Sequence, residues 1–204
     1  MAKPFELKFS NRVIEHLGIK LYQNKPTNVV AEFLSNSWDA DAFNVQIELK
    51  AQGAGGKPII VITDDGRGMT RDELTDEFLI IGRNRRGEPT ERTPAGRLPM
   101  GRKGIGKLAG FGIAGTVDVI SSPNIQLRRD ADIVAQSFYW LRFSLQELIA
   151  KSTASLTGSY EPEVIADGVN LNVLQDLVIN NGCEEECRHF LENSISGKGG
   201  VCII

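Results

Sequence analysis

Glu32-Phe33-Leu34-Ser35-Asn36-Ser37-Trp38-Asp39-Ala40-Asp41-Ala42 is the stretch on which the fold turns. At ~100° per residue, Glu32, Asn36 and Asp39 share an arc of roughly 60° on a helix. Val30, Phe33, Leu34 and Trp38 gather on the other side. One face is therefore expected in a core, and the opposite stripe carries two carboxylates and an amide. A solvated polar face is the ordinary account of such a stripe. Solvated faces usually carry Lys and Arg too, and residues 26–49 contain neither. Pro26 suits the first turn of this helix. The helical pattern extends upstream through Val13, Ile14, Leu17 and Leu21 and ends at about Ala40.

Working outward, Phe5 to Phe9 alternates apolar and polar, and so do Val45, Ile47 and Leu49, which predicts strands half-buried on one face. Ile59-Ile60-Val61-Ile62 is a short continuous apolar run, as in a strand buried on both faces, and it stops at Asp64-Asp65-Gly66-Arg67-Gly68. Thr70 with Glu73 reads as a capping box before Leu74, Phe78 and Leu79. Residues 82–107 are rich in Gly, Pro and Arg without periodicity, a long loop, and Leu108 to Ala114 is a short apolar helix. Strands are expected around Val117–Val119, at Ile125–Leu127 and at Phe138–Phe143. Helices are expected at Leu148–Ala150 and from Val169 to Ile179. Val201-Cys202-Ile203-Ile204 reads as a strand that stops short, so a longer parent protein is expected. Strands interleaved with helices at this density predict an α+β two-layer sandwich, a mixed sheet with helices on one face.

Two further motifs follow the acidic helix. Asp65-Gly66-Arg67-Gly68 places a carboxylate at the end of a firmly held strand, with glycines that allow backbone to approach a flat ligand. An ordinary Asp-Gly turn would read the same way. Gly101-x-x-Gly104-x-Gly106 runs into the Leu108 helix, and glycine-rich backbone ahead of a helix N-terminus suits an anion. Gly101-x-x-x-x-Gly106-Lys107 nearly spells a P-loop, but Leu108 stands where a hydroxyl should hold Mg²⁺. Gly104-x-Gly106-x-x-Ala109 nearly spells a dinucleotide fingerprint, yet no strand precedes it.

In this order, the three motifs resemble the nucleotide-binding boxes of the GHKL (Bergerat-fold) ATPases: gyrase-type topoisomerases, heat-shock chaperones of the HSP90 type, histidine kinases, MutL and MORC proteins. The wording of the first motif looks closest to the MutL, MORC and chaperone-like branch. The resemblance spans about residues 10–121 of one ATP-binding domain over 1–204, with 122–204 supplying its remaining strands and helices. It implies ATP binding and slow Mg²⁺-dependent hydrolysis, with lid closure coupled to self-association.

By the same resemblance, Glu32 is the general base that activates water, and Asn36 holds Mg²⁺ through its amide oxygen. Asp39 supports them, with Ala40 beside it. Asp65 accepts a hydrogen bond from the adenine amino group, with Gly66, Gly68 and Met69 close to the base. Gly101, Lys103, Gly104, Ile105, Gly106 and Lys107 meet the phosphates, and the loop from Gly82 forms a lid. Two departures stand out. The family's Gly-Thr pair on a later strand is here Gly200-Val201, and the lysine that hydrolysing relatives take from a second domain is absent, so Lys103 or Lys107 would substitute. A non-hydrolysing ATP switch remains an alternative, as does a histidine-kinase-type domain, although no phosphoacceptor helix precedes the first motif. A lone helical His16 is expected to be structural.

Composition bounds the rest. The chain has 204 residues, 41% hydrophobic and 24% charged, which is globular rather than disordered. No apolar run approaches ~18 residues, so no membrane span and no membrane partner are expected. Met1-Ala2-Lys3-Pro4 does not read as a signal peptide. Three cysteines cannot build a disulfide framework and favour a reducing, cytoplasmic setting. Cys183-x-x-x-Cys187-x-His189 offers at most part of a zinc site, and an ordinary helical surface is the preferred reading. The net charge of −3 averages two unlike regions. Residues 82–107 carry eight basic and two acidic side chains, +6, and the remainder carries −9. A triphosphate is the favoured anion for that loop, with a DNA or protein client left open.

Overall fold

The structure, a computed structural model, describes residues 3–10, 25–53, 56–80, 92–100, 106–128, 136–153 and 157–204. The helical pattern expected over residues 13–21 lies outside them. The chain divides into two units, one of residues 1–41, 72–117 and 142–163, the other of residues 42–71, 118–141 and 164–204.

In the first unit, β1 (Leu7–Ser10) pairs antiparallel with β6 (Thr157–Tyr160), a strand that has no legible signal in the sequence. Helix α1 (Pro26–Asp39) opens on proline as expected, and its buried positions are Val29, Phe33 and Ser37. That stripe is turned by about 70° from the expected apolar face. Leu34 and Trp38 are exposed, Trp38 at 43%. The reason is local: the Trp38 indole N–H donates to Leu98 O at 3.0 Å, and the Arg97 guanidinium lies 4.7 Å above its ring. Buried Ser37 satisfies its hydroxyl on Phe33 O.

Helix α2 (Arg71–Glu73) widens at once into a π-helical turn, Leu74–Phe78, that buries Leu74. A 3₁₀ helix spans Gly106–Gly112 where the short apolar helix was expected. Helix α3 (Leu145–Thr153) covers the expected Leu148–Ala150. Phe143 meets Phe78 edge-on at 6.4 Å and Tyr160 at 6.3 Å. The Tyr160 hydroxyl accepts Ser144 N–H at 2.9 Å.

The second unit holds β2 (Val45–Lys50), β3 (Ile59–Asp64), β8 (Gly200–Ile203) and most of β4 (Thr116–Ser122), β5 (Phe138–Ser144) and β7 (Glu163–Val169). The six strands run in the order β2-β3-β8-β4-β5-β7. β3 and β4 are not bonded to each other; β8 lies between them, antiparallel to both. Helices α4 (Leu171–Asn180) and α5 (Glu184–Ile195) pack together, and α5 lies on β3 and β8. The core between sheet and helices holds Val61, Ile120, Phe138, Trp140, Leu174, Val178, Phe190 and all three cysteines. The architecture is α+β, as expected.

Three elements differ from expectation. On β2 the apolar alternation does not face the core: Leu49 is 76% exposed and Ile47 38%, while Glu48 and Lys50 are half-buried. Val169 ends β7, and α4 starts only after its N-cap Asn170, whose side chain accepts Val173 N–H at 3.1 Å. Ile125–Leu127 is a turn, not a strand. The Asn124 side-chain oxygen accepts Gln126 N–H and its carbonyl accepts Leu127 N–H, and these bonds close the chain on itself after Pro123.

Candidate functional site

The acidic helix belongs to the first unit. Asn36 projects exposed from α1, and Glu32 and Asp39 are half-buried. Ala40 forms the C-cap, its N–H on Asn36 O at 2.9 Å. The 3₁₀ helix begins against this stripe: a Cβ placed on Gly106 would stand 2.6 Å from Glu32 Oε2. The Gly106 backbone thus runs close beside the carboxylate, and a side chain there would push the carboxylate aside. Lys107 follows in the same helix. Gly101, Lys103, Gly104 and Ile105 lie outside the described residues.

The described part of the expected lid, residues 92–100, is tied to the end of α1. Asp39 accepts Met100 N–H at 2.7 Å. Asp41 adopts a left-handed backbone (φ 59°) and is buried at 2% exposure. Its carboxylate accepts the Thr93 hydroxyl and, at 3.1 Å, Ala95 N–H, with Arg97 Nε at 4.0 Å. Asp41 had no expected role.

The aspartate turn belongs to the second unit. Asp64 ends β3, is buried, and accepts Gly66 N–H on Oδ1 at 2.9 Å, which folds the turn back on its own carboxylate. Asp65 is committed elsewhere. Its Oδ1 accepts Phe43 N–H at 2.8 Å and Asn44 N–H at 2.7 Å, and its Oδ2 accepts the Asn44 amide at 2.8 Å. Burial by itself would push this carboxyl up. The Asn44 and Phe43 donors, with the charge of Lys198, outweigh it and hold Asp65 below the ordinary carboxylate range. Both Asp65 oxygens are thus engaged by residues 43 and 44, and the carboxylate fixes the entry to β2. Gly68 takes φ 56°, and a Cβ there would stand 1.8 Å from Ser122 O, so no other residue fits.

Three side chains that the sequence reading passed over hold this turn. Ser121 Oγ accepts Met69 N–H at 2.9 Å. Asn124 donates its amide to Asp65 O at 3.0 Å and its backbone N–H to Arg67 O at 2.9 Å. Arg128 donates to Arg67 O at 3.1 Å and Gly68 O at 2.8 Å. The run Ser121-Ser122-Pro123-Asn124, polar directly after a buried strand, was the signal available.

The zinc reading fails on placement. Cys183 and Cys187 are buried with sulfurs 3.8 Å apart, whereas His189 turns to Glu48 at 3.2 Å and Glu192 at 3.1 Å. No group among the described residues could hold a metal through His, Cys, Asp or Glu clusters. The helix bearing the two cysteines is a core element and not the plain surface expected. No described helix is long and apolar enough to cross a membrane.

Comparison with known proteins agrees with the motif reading. Residues 24–147 match the family described as histidine kinase-, DNA gyrase B-, and HSP90-like ATPase. A putative type II restriction enzyme, HgiDII of Herpetosiphon aurantiacus, is 41% identical over 117 residues, 57% of this chain and 18% of that protein. The DNA mismatch repair protein MutL of Acidobacterium capsulatum is 36% identical over 69 residues, 34% of this chain and 10% of that protein. MutL of Solibacter usitatus is 49% identical over 54 residues, 26% of this chain and 8% of its own length. These matches cover less than a fifth of the relatives' own length. With more than half of its residues inside the family match, an acidic helix stripe against a glycine and an Asp-Gly turn at a strand end, this chain belongs to the GHKL ATPases.

Proposed function

We propose that the chain binds ATP with Mg²⁺ and hydrolyses it slowly to ADP and phosphate. Family membership supports nucleotide binding in general; the roles of residues below are our reading. Glu32 acts as general base. It takes a proton from water as the water oxygen bonds to the γ-phosphorus and the bond to the ADP oxygen breaks. The observation that carries this role is the contact of Glu32 with Gly106, which sets a carboxylate against the backbone of the glycine segment.

The donor set on α1 suits Mg²⁺, a hard cation that takes oxygen ligands and borrows others from phosphate and water. Asn36, exposed and carrying an amide oxygen, would hold it, and bound Mg²⁺ would neutralise phosphate charge. Asp39 steadies Met100 at the edge of the glycine segment. Gly101, Lys103, Gly104, Ile105, Gly106 and Lys107 supply donors to the phosphates. Asp64, with its neighbour Asp65 already committed to Phe43 and Asn44, accepts the adenine amino group, and Gly66, Gly68 and Met69 approach the base.

Phosphate release with Glu32→Ala as control tests the assignment. The variant is expected to bind ATP and to lose turnover. Equal rates in the two proteins would remove the hydrolase reading, and ATP binding without release by either would leave a switch. The names of the relatives support a place in a longer, DNA-acting protein; that its ATP-bound state self-associates in the cytoplasm is our own reading. Sedimentation with and without ATP tests the self-association.

A further inference from the structure

The turn Asp64–Met69 does not hold itself. Gly66 N–H bonds to Asp64 Oδ1, and the backbone of residues 65, 67, 68 and 69 is bonded by Ser121, Asn124 and Arg128. Asn124 is buried at 2% exposure, and it grips the turn at Asp65 O and Arg67 O while its own side-chain oxygen is held by Gln126 N–H. Ser121, fully buried, accepts Met69 N–H and donates to Gly200 O at 3.3 Å.

Register adds a second observation. Asp64 is paired with Val201 across β3 and β8, and Ser121 with the same Val201 across β8 and β4. Directly opposed residues share a sheet face, so Asp64, Val201 and Ser121 stand in one row. The middle member of that row is hydrocarbon, and the hydroxyl is on β4.

We propose that Asn124, assisted by Ser121, is a positioning residue that sets adenine over guanine selection by holding the Asp64 turn in one geometry. The inference rests on reading Asp64 as the acceptor of the adenine amino group. Adenine offers a donor at the position where guanine offers an acceptor, so discrimination depends on where the Asp64 oxygen stands. A turn freed from Asn124 lets that oxygen retreat from a mismatched base and loses the penalty that excludes it.

The test is calorimetric titration of the whole chain with ATP and with GTP. The ratio of the two dissociation constants is the readout, because a merely structural defect lowers the folded fraction for both nucleotides and leaves their ratio alone. The wild-type chain is expected to prefer ATP. Asn124→Asp keeps the acceptor for Gln126 N–H but loses the donor to Asp65 O, and is expected to reduce the preference about tenfold. Ser121→Ala strands Met69 N–H and should act in the same direction, with Ser121→Thr restoring the preference; this pair decides the matter if Asn124→Asp does not fold. Asp64→Asn separates the two readings. A wild-type chain without preference, or one whose preference survives Asp64→Asn, overturns the base assignment and the proposal with it. A preference lost in Asp64→Asn but unchanged in Asn124→Asp and Ser121→Ala overturns the positioning role alone.

Discussion

Gly106→Ala is the substitution that most sharply separates fold from chemistry in this chain. The added methyl would stand 2.6 Å from Glu32 Oε2, about 1 Å inside ordinary van der Waals separation. The atom it meets is the far end of a flexible side chain, so the backbone need not move. Gly106 is also helical, and alanine there loses less conformational freedom on folding, a gain of roughly 0.5–1 kcal/mol. The variant should therefore melt no lower than the parent, while its carboxylate is displaced by about 1 Å. A misplacement of that size costs about 10²-fold in a positioned reaction, or about 2.7 kcal/mol of barrier. Single-turnover phosphate release should fall by this factor with ATP affinity within about threefold of the parent. Unchanged turnover in a folded Gly106→Ala chain would refute the Glu32 assignment. Loss of ATP binding with turnover per bound nucleotide intact would show that Gly106 serves the phosphates and not the carboxylate.

Three further outcomes follow from the second unit. Gly68→Ala places a methyl 1.8 Å from a backbone carbonyl at φ 56°, and should destabilise by more than about 2 kcal/mol in a urea melt; a neutral result would contradict the geometry of the turn. Asp65 has a folded pKa below its unfolded value, so its contribution to stability is present above about pH 4 and is lost as pH falls through the lower folded value; Asp65→Asn should flatten the stability profile in that acid window, which denaturant melts from pH 3 to 7 would reveal. Cys183, Cys187 and Cys202 are all buried, and hydrogen bonding among the thiols together with burial pushes Cys187 up, so a thiol reagent at pH 8 should find nothing reactive until denaturant is added.

Local signals carried the elements whose burial is set within a few residues. The alternation of Val45, Ile47 and Leu49 and the apolar run Ile59–Ile62 placed β2 and β3 to within a residue or two, but not the covered side of β2, where Ile47 and Leu49 are exposed and Glu48 and Lys50 are half-buried. The α1 stripe was legible as a stripe but not in its rotation, since Trp38 is held out by Arg97 and Leu98, some 60 residues away. The same limit explains the aspartates. Asp64 and Asp65 are chemically identical in sequence, and only the return of Phe43 and Asn44 distinguishes them. The apolar Ile125 and Leu127 give the Asn124 turn a strand-like sequence, while the bonds that close it come from the Asn124 side chain and its carbonyl. Strand order had no local signal at all, since β8 finds its partners some 80 and 140 residues upstream.

The central place of β8 has a consequence for how this sheet is made. During synthesis β3 and β4 are complete long before residues 200–203 exist, and neither can bond the other. The two halves of the sheet must wait, each with an unpaired edge, until the latest strand arrives to join them. The row Asp64, Val201, Ser121 comes into being only at that step. A chain cut before Gly200 therefore keeps both aspartates while losing the strand that frames their turn.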